Sequence, residues 1–222
     1  MIMPGPRPLR IAHRGLPRAA RENTLLSFGL ALAAGADGIE LDVHATADGI
    51  VVIHHDPVLE DGSLISELSH DALLRATLAA REIPTLGAVC ELVRGRAELF
   101  VEIKGGGIER LVTGALAGYE GVAAIHSVDH ALIQRLARGG TARRLGVLFE
   151  DATGDPLTLM ATHGALDLWP HYRLVTRALV DDVHSIGGRV ISWTVNDPAD
   201  AERLTSFGVD GICTDDVSML AS

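Results

Sequence analysis

Glu40 and Asp42 stand two residues apart in Gly38-Ile39-Glu40-Leu41-Asp42-Val43, and Glu102 and Lys104 repeat that spacing in Leu99-Phe100-Val101-Glu102-Ile103-Lys104. A β-strand alternates its faces with period two, so the charged residues of each run share one face and Ile39, Leu41, Val43, Val101 and Ile103 the other. A third run, Ile11-Ala12-His13-Arg14-Gly15, ends in a histidine and an arginine. Carboxylates are rarely fully buried unless they are paired or bind a metal. Three of them from two strands, Glu40, Asp42 and Glu102, suit a hard divalent cation such as Mg²⁺ or Ca²⁺, which prefers oxygen ligands. The same charges could instead be matched by Arg14 and Lys104 in a salt-bridge network.

Arg14 and Lys104 beside such a centre point to an anionic ligand, and phosphate fits the bidentate guanidinium well. Two histidines can supply proton transfer: His13, and His55 in His54-His55-Asp56 after the apolar run Ile50-Val51-Val52-Ile53. Imidazole titrates near neutral pH, so the pair can serve as general base and general acid. His44, His54, His126 and His171 read mainly as structural or solvent-facing, with His171 in Trp169-Pro170-His171-Tyr172 the strongest exception.

Positioning these side chains requires several strands that end at one place. Strand-like runs fall at 9–13, 37–43, 50–54, 98–103, 122–126, 144–148, 166–169, 188–193 and 209–213, with helical patterns between them. Residues 24–34 carry apolar positions at helical spacing and stop at Gly35; Asp129 can cap a helix, and Asp197-Pro198 opens another. Residues 33–39 and 206–212 look alike, each reading as helix end, tight turn and strand. Setting aside 50–54 as a short ribbon leaves eight strand–helix units, which favours an α/β (β/α)₈ TIM barrel with a short insertion after the second strand. A doubly wound open sheet is the alternative, disfavoured because His13-Arg14-Gly15 is no dinucleotide turn. Residues 1–222 read as one domain, with 55–97 as a small cap or insertion at the barrel mouth. In a barrel the C-terminal strand ends form one mouth, which would gather His13, Arg14, Glu40, Asp42, Glu102, Lys104 and Trp193.

The bulk composition narrows the partners. Lys and Arg total 19 against 29 Asp and Glu, a formal charge of −10, which argues against general binding to nucleic acid or anionic membrane. Cys90 and Cys213 lie in apolar runs and read as buried thiols in a reducing compartment. The N-terminal stretch to Arg10 is proline-rich without an apolar signal core, and no run is long enough to span a bilayer. A small-molecule partner and a cytoplasmic location are the expectation, with no oligomeric state implied.

The ordered set His13-Arg14-Gly15, Glu22-Asn23-Thr24, Glu40-Leu41-Asp42-Val43, His55-Asp56, Glu102-Ile103-Lys104, Ser192-Trp193-Thr194-Val195-Asn196 and Gly208-Val209-Asp210-Gly211-Ile212-Cys213-Thr214-Asp215 resembles the glycerophosphodiester phosphodiesterase family. The resemblance runs from about residue 9 to 219. It implies a (β/α)₈ barrel with a small insertion. It also implies Glu40, Asp42 and Glu102 as ligands of Mg²⁺ or Ca²⁺, His13 and His55 as the acid/base pair, and Arg14 as the phosphate-binding arginine. Lys104 matches a substrate-site lysine and Trp193 the wall of the glycerol pocket; Glu22 and Asn23 either bond within the site or cap the helix near Thr24. The implied reaction is metal-dependent hydrolysis of a glycerophosphodiester to glycerol 3-phosphate and an alcohol. One histidine would deprotonate the glycerol 2-hydroxyl, and water would open the resulting cyclic phosphate.

This chain departs from the pattern at Pro57-Val58-Leu59-Glu60, where an Arg-Thr-Thr segment is usual, and at Ser127-Val128-Asp129, where Ser-Phe-Asp is. Those departures bear on the choice of alcohol. Lysophospholipids on the same site are a related reading. Two others are an amidohydrolase-type barrel, which lacks its usual His-x-His here, and a barrel that binds a phosphorylated ligand without turning it over.

Overall fold

Eight parallel strands close on themselves in the computed structural model, which describes residues 7–151 and 154–220. Most of the proline-rich N-terminal stretch therefore lies outside the described residues. The order is β1 (Leu9–His13), β2 (Gly38–Ala45), β4 (Glu98–Ile103), β5 (Ala123–Ser127), β6 (Arg144–Phe149), β7 (Asp167–Pro170), β8 (Arg189–Ser192) and β9 (Gly211–Thr214). Closure is made by β1, which pairs in parallel with both β2 and β9, and this rules out the open doubly wound sheet. The short ribbon β3 (Val51–Ile53) pairs antiparallel with β2 outside the ring.

Helices alternate with the strands: α1 (Leu25–Ala33), α2 (His70–Ala76), α3 (Leu86–Val93), α4 (Glu109–Leu116), α5 (His130–Arg138), α6 (Pro156–His163), α7 (Arg177–Ser185) and α8 (Pro198–Phe207). Local sequence sets their ends. Thr24, Asp129 and Asp197 accept hydrogen bonds from Ser27 N, Leu132 N and Ala199 N, and Pro198 occupies the first turn of α8. The two similar stretches share a device. Gly35 (φ 82°) and Gly208 (φ 88°) take left-handed turns open to glycine at little cost. The aspartates that follow, Asp37 and Asp210, each accept a neighbouring strand's amide, Arg10 N at 2.9 Å and Val190 N at 2.8 Å.

Period-two alternation divides the apolar residues between two cores. Outward-facing Ile39, Leu41, Val43, Val101, Ile103, Ile125, Val147 and Ile212 pack with the helices. Inward-facing Ile11, Phe100, Ala124, Leu148, Trp169, Ile191 and Cys213 fill the barrel. Of segment 55–97, α3 belongs to the outer layer, burying Leu86, Val89, Cys90 and Val93 against the main core. A separate small cluster of Val52, Leu59, Ile65, Leu73, Ala80 and Ile83 holds the remainder. Cys90 and Cys213 are both buried and free.

The two ends of the barrel are charged. At the N-terminal end the fully buried Asp167 bonds Arg144 and Arg189, and Arg189 reaches Glu98 at 2.9 Å. Such networks occupy the face that stabilises a barrel, leaving the opposite face for chemistry. No helix among the described residues is long and apolar enough to cross a membrane.

Interior packing leaves one position on β2 without room for any side chain. A Cβ on Gly38 would come within 2.7 Å of Phe100 Cε2 and 3.2 Å of Ile11 Cγ1, both locked in the barrel interior. Gly38→Ala should therefore cost about 1–3 kcal/mol by overpacking. Urea unfolding measures it; a variant as stable as the wild type would show that the interior layer is slack.

Candidate active site

The strand register assembles the mouth. His13 is opposite Glu40, Asp42 opposite Glu102, and Glu102 opposite His126, so four neighbouring strands present polar side chains at two adjacent levels. Glu40, Asp42 and Glu102 are all buried, with only 3%, 1% and 6% exposure.

Arg14, just past β1, takes a left-handed backbone (φ 54°), a conformation that costs a non-glycine residue about 1–3 kcal/mol. Hydrogen bonds on both sides pin it. Its N–H donates to the Glu40 carbonyl at 3.0 Å and to Glu40 Oε2 at 3.2 Å. Its carbonyl accepts from Asn23 N at 2.9 Å and Ser27 Oγ at 3.2 Å. The guanidinium is thereby turned onto Glu22 (3.0 Å) and Asp42 (3.0 Å from Nε), while Lys104 Nζ spans Asp42 (3.2 Å) and Glu102 (2.9 Å). Asn23 donates from Nδ2 to Asp42 at 2.9 Å. Glu22 and Asn23 thus bond the charged cluster, and Thr24 alone caps α1.

Those partners divide the three acids. Burial pushes Glu40 well above the usual carboxylate range, and repulsion from Asp42 and Glu102 pushes it further against the pull of Arg14 and Lys104. Burial likewise raises Glu102, with Lys104 opposing. Burial would raise Asp42 too, but Lys104, Arg14 and the Asn23 amide hold it below the usual range. Lys104 keeps its charge against burial because Glu102 and Asp42 flank it.

The two histidines are held alike and exposed differently. His13 Nδ1 lies 2.7 Å from Asp215 Oδ1, and Asp215 is in turn fixed by Asn196 Nδ2 at 2.6 Å. Burial opposes ionisation of Asp215, but the bond to His13 keeps its carboxyl below the usual range. His55 Nδ1 lies 2.9 Å from Asp56 Oδ1, and the His55 carbonyl accepts from His44 Nε2 at 3.0 Å. A carboxylate on Nδ1 fixes that nitrogen as the donor and leaves Nε2 for a reacting group. His13, Arg14, Glu40, His55, Glu102, Lys104, His126 and Trp193 line one cavity of about 170 Å³. Two further clefts, about 290 and 480 Å³, open from His55. Trp193 contributes its ring, its indole N–H being committed to the Trp169 carbonyl at 3.0 Å.

A model of the glycerophosphoryl diester phosphodiesterase family matches residues 13–219, nearly all of the chain. This chain belongs to that family. A glycerophosphodiester phosphodiesterase from Caldanaerobacter subterraneus is 33% identical over 232 residues, covering 96% of each chain. Another from Bacillus altitudinis is 30% identical, covering 92% of this chain and 93% of the relative. The solved structure of an Oleispira antarctica phosphodiesterase in complex with the product sn-glycerol-3-phosphate superposes with a TM-score of 0.85 at 25% identity, covering 97% of this chain and 98% of that one.

Within the family framework, two side chains at the mouth carry more than the motifs suggest. Asp215 orients His13 across 202 residues of sequence, a contact created only by the β1–β9 pairing. His126, read from sequence as structural, is 1% exposed and stacks on Trp169 with centroids 4.1 Å apart. Burial drives its pKa down to about 3. Strand parity carried the signal for His126: it alternates with outward Ala123 and Ile125, as Ala124 does. Of the remaining histidines, His44 props the His55 loop and His54 Nδ1 bonds the Asp56 carbonyl at 2.8 Å. His171 caps a 3-10 turn, edge-on to Trp193.

Asp215→Asn removes the charge that steadies a His13 imidazolium and permits the wrong tautomer. Turnover of a phosphodiester should fall by about 10²–10⁴ with the fold intact. Steady-state kinetics with circular dichroism tests this, and near-normal kcat would make the Asp215 contact incidental.

Proposed function

We propose that this protein hydrolyses glycerophosphodiesters to glycerol 3-phosphate and an alcohol, with His13 and His55 as acid and base and a divalent cation, Mg²⁺ or Ca²⁺, as cofactor. The observation that carries the reading is the pair of imidazoles, each held at Nδ1 by a carboxylate and both facing one cavity with Arg14 and Lys104. The product found in the Oleispira relative supports the choice of substrate.

The residues present fit a hard cation. Three carboxylates meet at the barrel end, and without a positive ion Glu40 and Glu102 resist ionising. Glu40, Asp42 and Glu102 would hold it, and when bound it supplies charge neutralisation at the phosphoryl oxygens.

The rest is done by this chain. Arg14 and Lys104 bind the non-bridging oxygens and stabilise the charge that grows on them. Trp193 walls the glycerol side. One histidine takes a proton at Nε2 from the attacking glycerol 2-hydroxyl. The other delivers a proton to the leaving alkoxide, whose departure is otherwise slow. Water, deprotonated by the second histidine, then opens the cyclic phosphate, and the first histidine returns its proton to the departing glycerol 2-oxygen. The clefts that share His55 give the alcohol an exit.

Release of glycerol phosphate from glycerophosphocholine, glycerophosphoethanolamine and glycerophosphoinositol, with Mg²⁺, Ca²⁺ or chelator, tests the assignment. Turnover should require cation, and His13→Ala and His55→Ala should each lower kcat by about 10²–10⁴ while keeping cation affinity. No turnover of any diester sinks the substrate; wild-type turnover in either variant sinks the two-histidine mechanism.

Cation binding should also release protons. Glu40 and Glu102 ionise above the usual range in the free protein, so below that raised range the cation must displace protons to bind. Affinity should therefore rise with pH above the usual carboxylate range, with calorimetric heats that depend on the buffer's ionisation enthalpy. A pH-independent affinity would contradict the burial effect.

A further inference from the structure

His126 is a buried imidazole with nothing to bond among the described residues. Both ring nitrogens lack a hydrogen-bond partner, and the ring is clamped face to face on Trp169 with an interplanar angle of 6°. Gly146 on the next strand makes room for this stack, since a Cβ there would approach Trp169 Cδ1 at 2.9 Å and His126 Cβ at 3.1 Å. An unsatisfied buried polar atom costs about 1–3 kcal/mol, so packing that holds two of them in place points to a ligand.

The same ring faces two acids. His126 Nε2 is 3.9 Å from Glu40 Oε1, and one ligand atom each from Glu40, Glu102 and His126 all lie within 4.8 Å of one another. Donors bonded to a common ion at about 2.0–2.2 Å are separated by at most about 4.4 Å, so closing by a few tenths of an ångström lets the three share one. Asp42, the third acid of the centre, also meets Lys104, Arg14 and Asn23. We propose that His126 is a nitrogen ligand of the cation centre together with Glu40, Asp42 and Glu102, and that it tunes the centre toward borderline first-row ions such as Zn²⁺ or Co²⁺. Imidazole suits these ions, whereas Mg²⁺ and Ca²⁺ take oxygen. The assignment rests on the cation centre of the proposed function and refines its choice of metal.

X-ray absorption of the Zn²⁺-loaded protein reads the ligands directly. Imidazole scattering should be present in the wild type, persist in the His13→Ala/His55→Ala double variant and disappear in His126→Gln. Zn²⁺ affinity should fall at least ~10-fold in His126→Gln, given that even outer partners of a metal ligand are worth about that much, while Ca²⁺ affinity stays within about twofold. Should His126→Gln fail to fold, the double variant decides, since imidazole scattering that vanishes with His13 and His55 overturns the assignment. Oxygen-only coordination, or equal Zn²⁺ affinity in wild type and His126→Gln, also overturns it and leaves the hydrolase reading standing. Imidazole ligation in a protein that turns over no glycerophosphodiester would sink that reading and keep this one.

Discussion

The pairing of β2 with β4 concentrates negative charge inside the barrel, and the mouth is organised around neutralising it. Register places Asp42 beside Glu102, with Glu40 one layer below on the same face. Moving an ion out of water costs several kcal/mol even after relaxation, so carboxylates this deep require cations or protons. Lys104 bridges the two strands from just past the end of β4, and Arg14 closes over Asp42 from just past the end of β1. The strained backbone of Arg14, its bonds to Glu40 and Ser27, and the placement of Glu22 and Asn23 all follow from delivering that guanidinium to that point.

The remainder of the barrel is arranged so that this charge has one place to sit. Beneath it lies an apolar layer built on Phe100, Trp169 and Ile191, with glycines where the large rings need space. Beneath that, Asp167 and Glu98 are matched by Arg144 and Arg189. These four charges all have partners within the protein. At the upper end Glu40 and Glu102 are under-compensated, and His126 has no hydrogen-bond partner among the described residues. Polar satisfaction at one end and its absence at the other is the physical difference between a stabilising network and a binding site.

Much of this was legible in the residues, because the period of two in 38–43 and 99–104 names both the buried face and its charges. Strand count and helix caps then carried the barrel, and Asp129 and Asp197 cap where their types suggest, whereas Thr24, read as the first helical residue, is itself the cap of α1. What escaped depends on contacts between distant parts of the chain. Within 55–97, α3 looks no different from α2, yet only packing against the main core makes it a barrel helix. Asp215 meets His13 only because the last strand returns to the first. His126 is one histidine among 10, and its two empty nitrogens are a property of three strands together.

The supports of the two catalytic candidates suggest a division of labour. His13 ends a strand inside the closed ring, its side chain 18% exposed, and its partner Asp215 is itself tied to Asn196. His55 sits on a loop with 38% of its side chain exposed, against an Asp56 that is 65% exposed. A rigid imidazole beside the fixed charges suits the glycerol phosphate half, which every substrate of the proposed reaction shares. The open one, at the junction of both outer clefts, suits the alcohol half, which varies. Constancy of chemistry is then carried by the strands and choice of substrate by the insertion, which is also where the sequence departs from the Arg-Thr-Thr pattern.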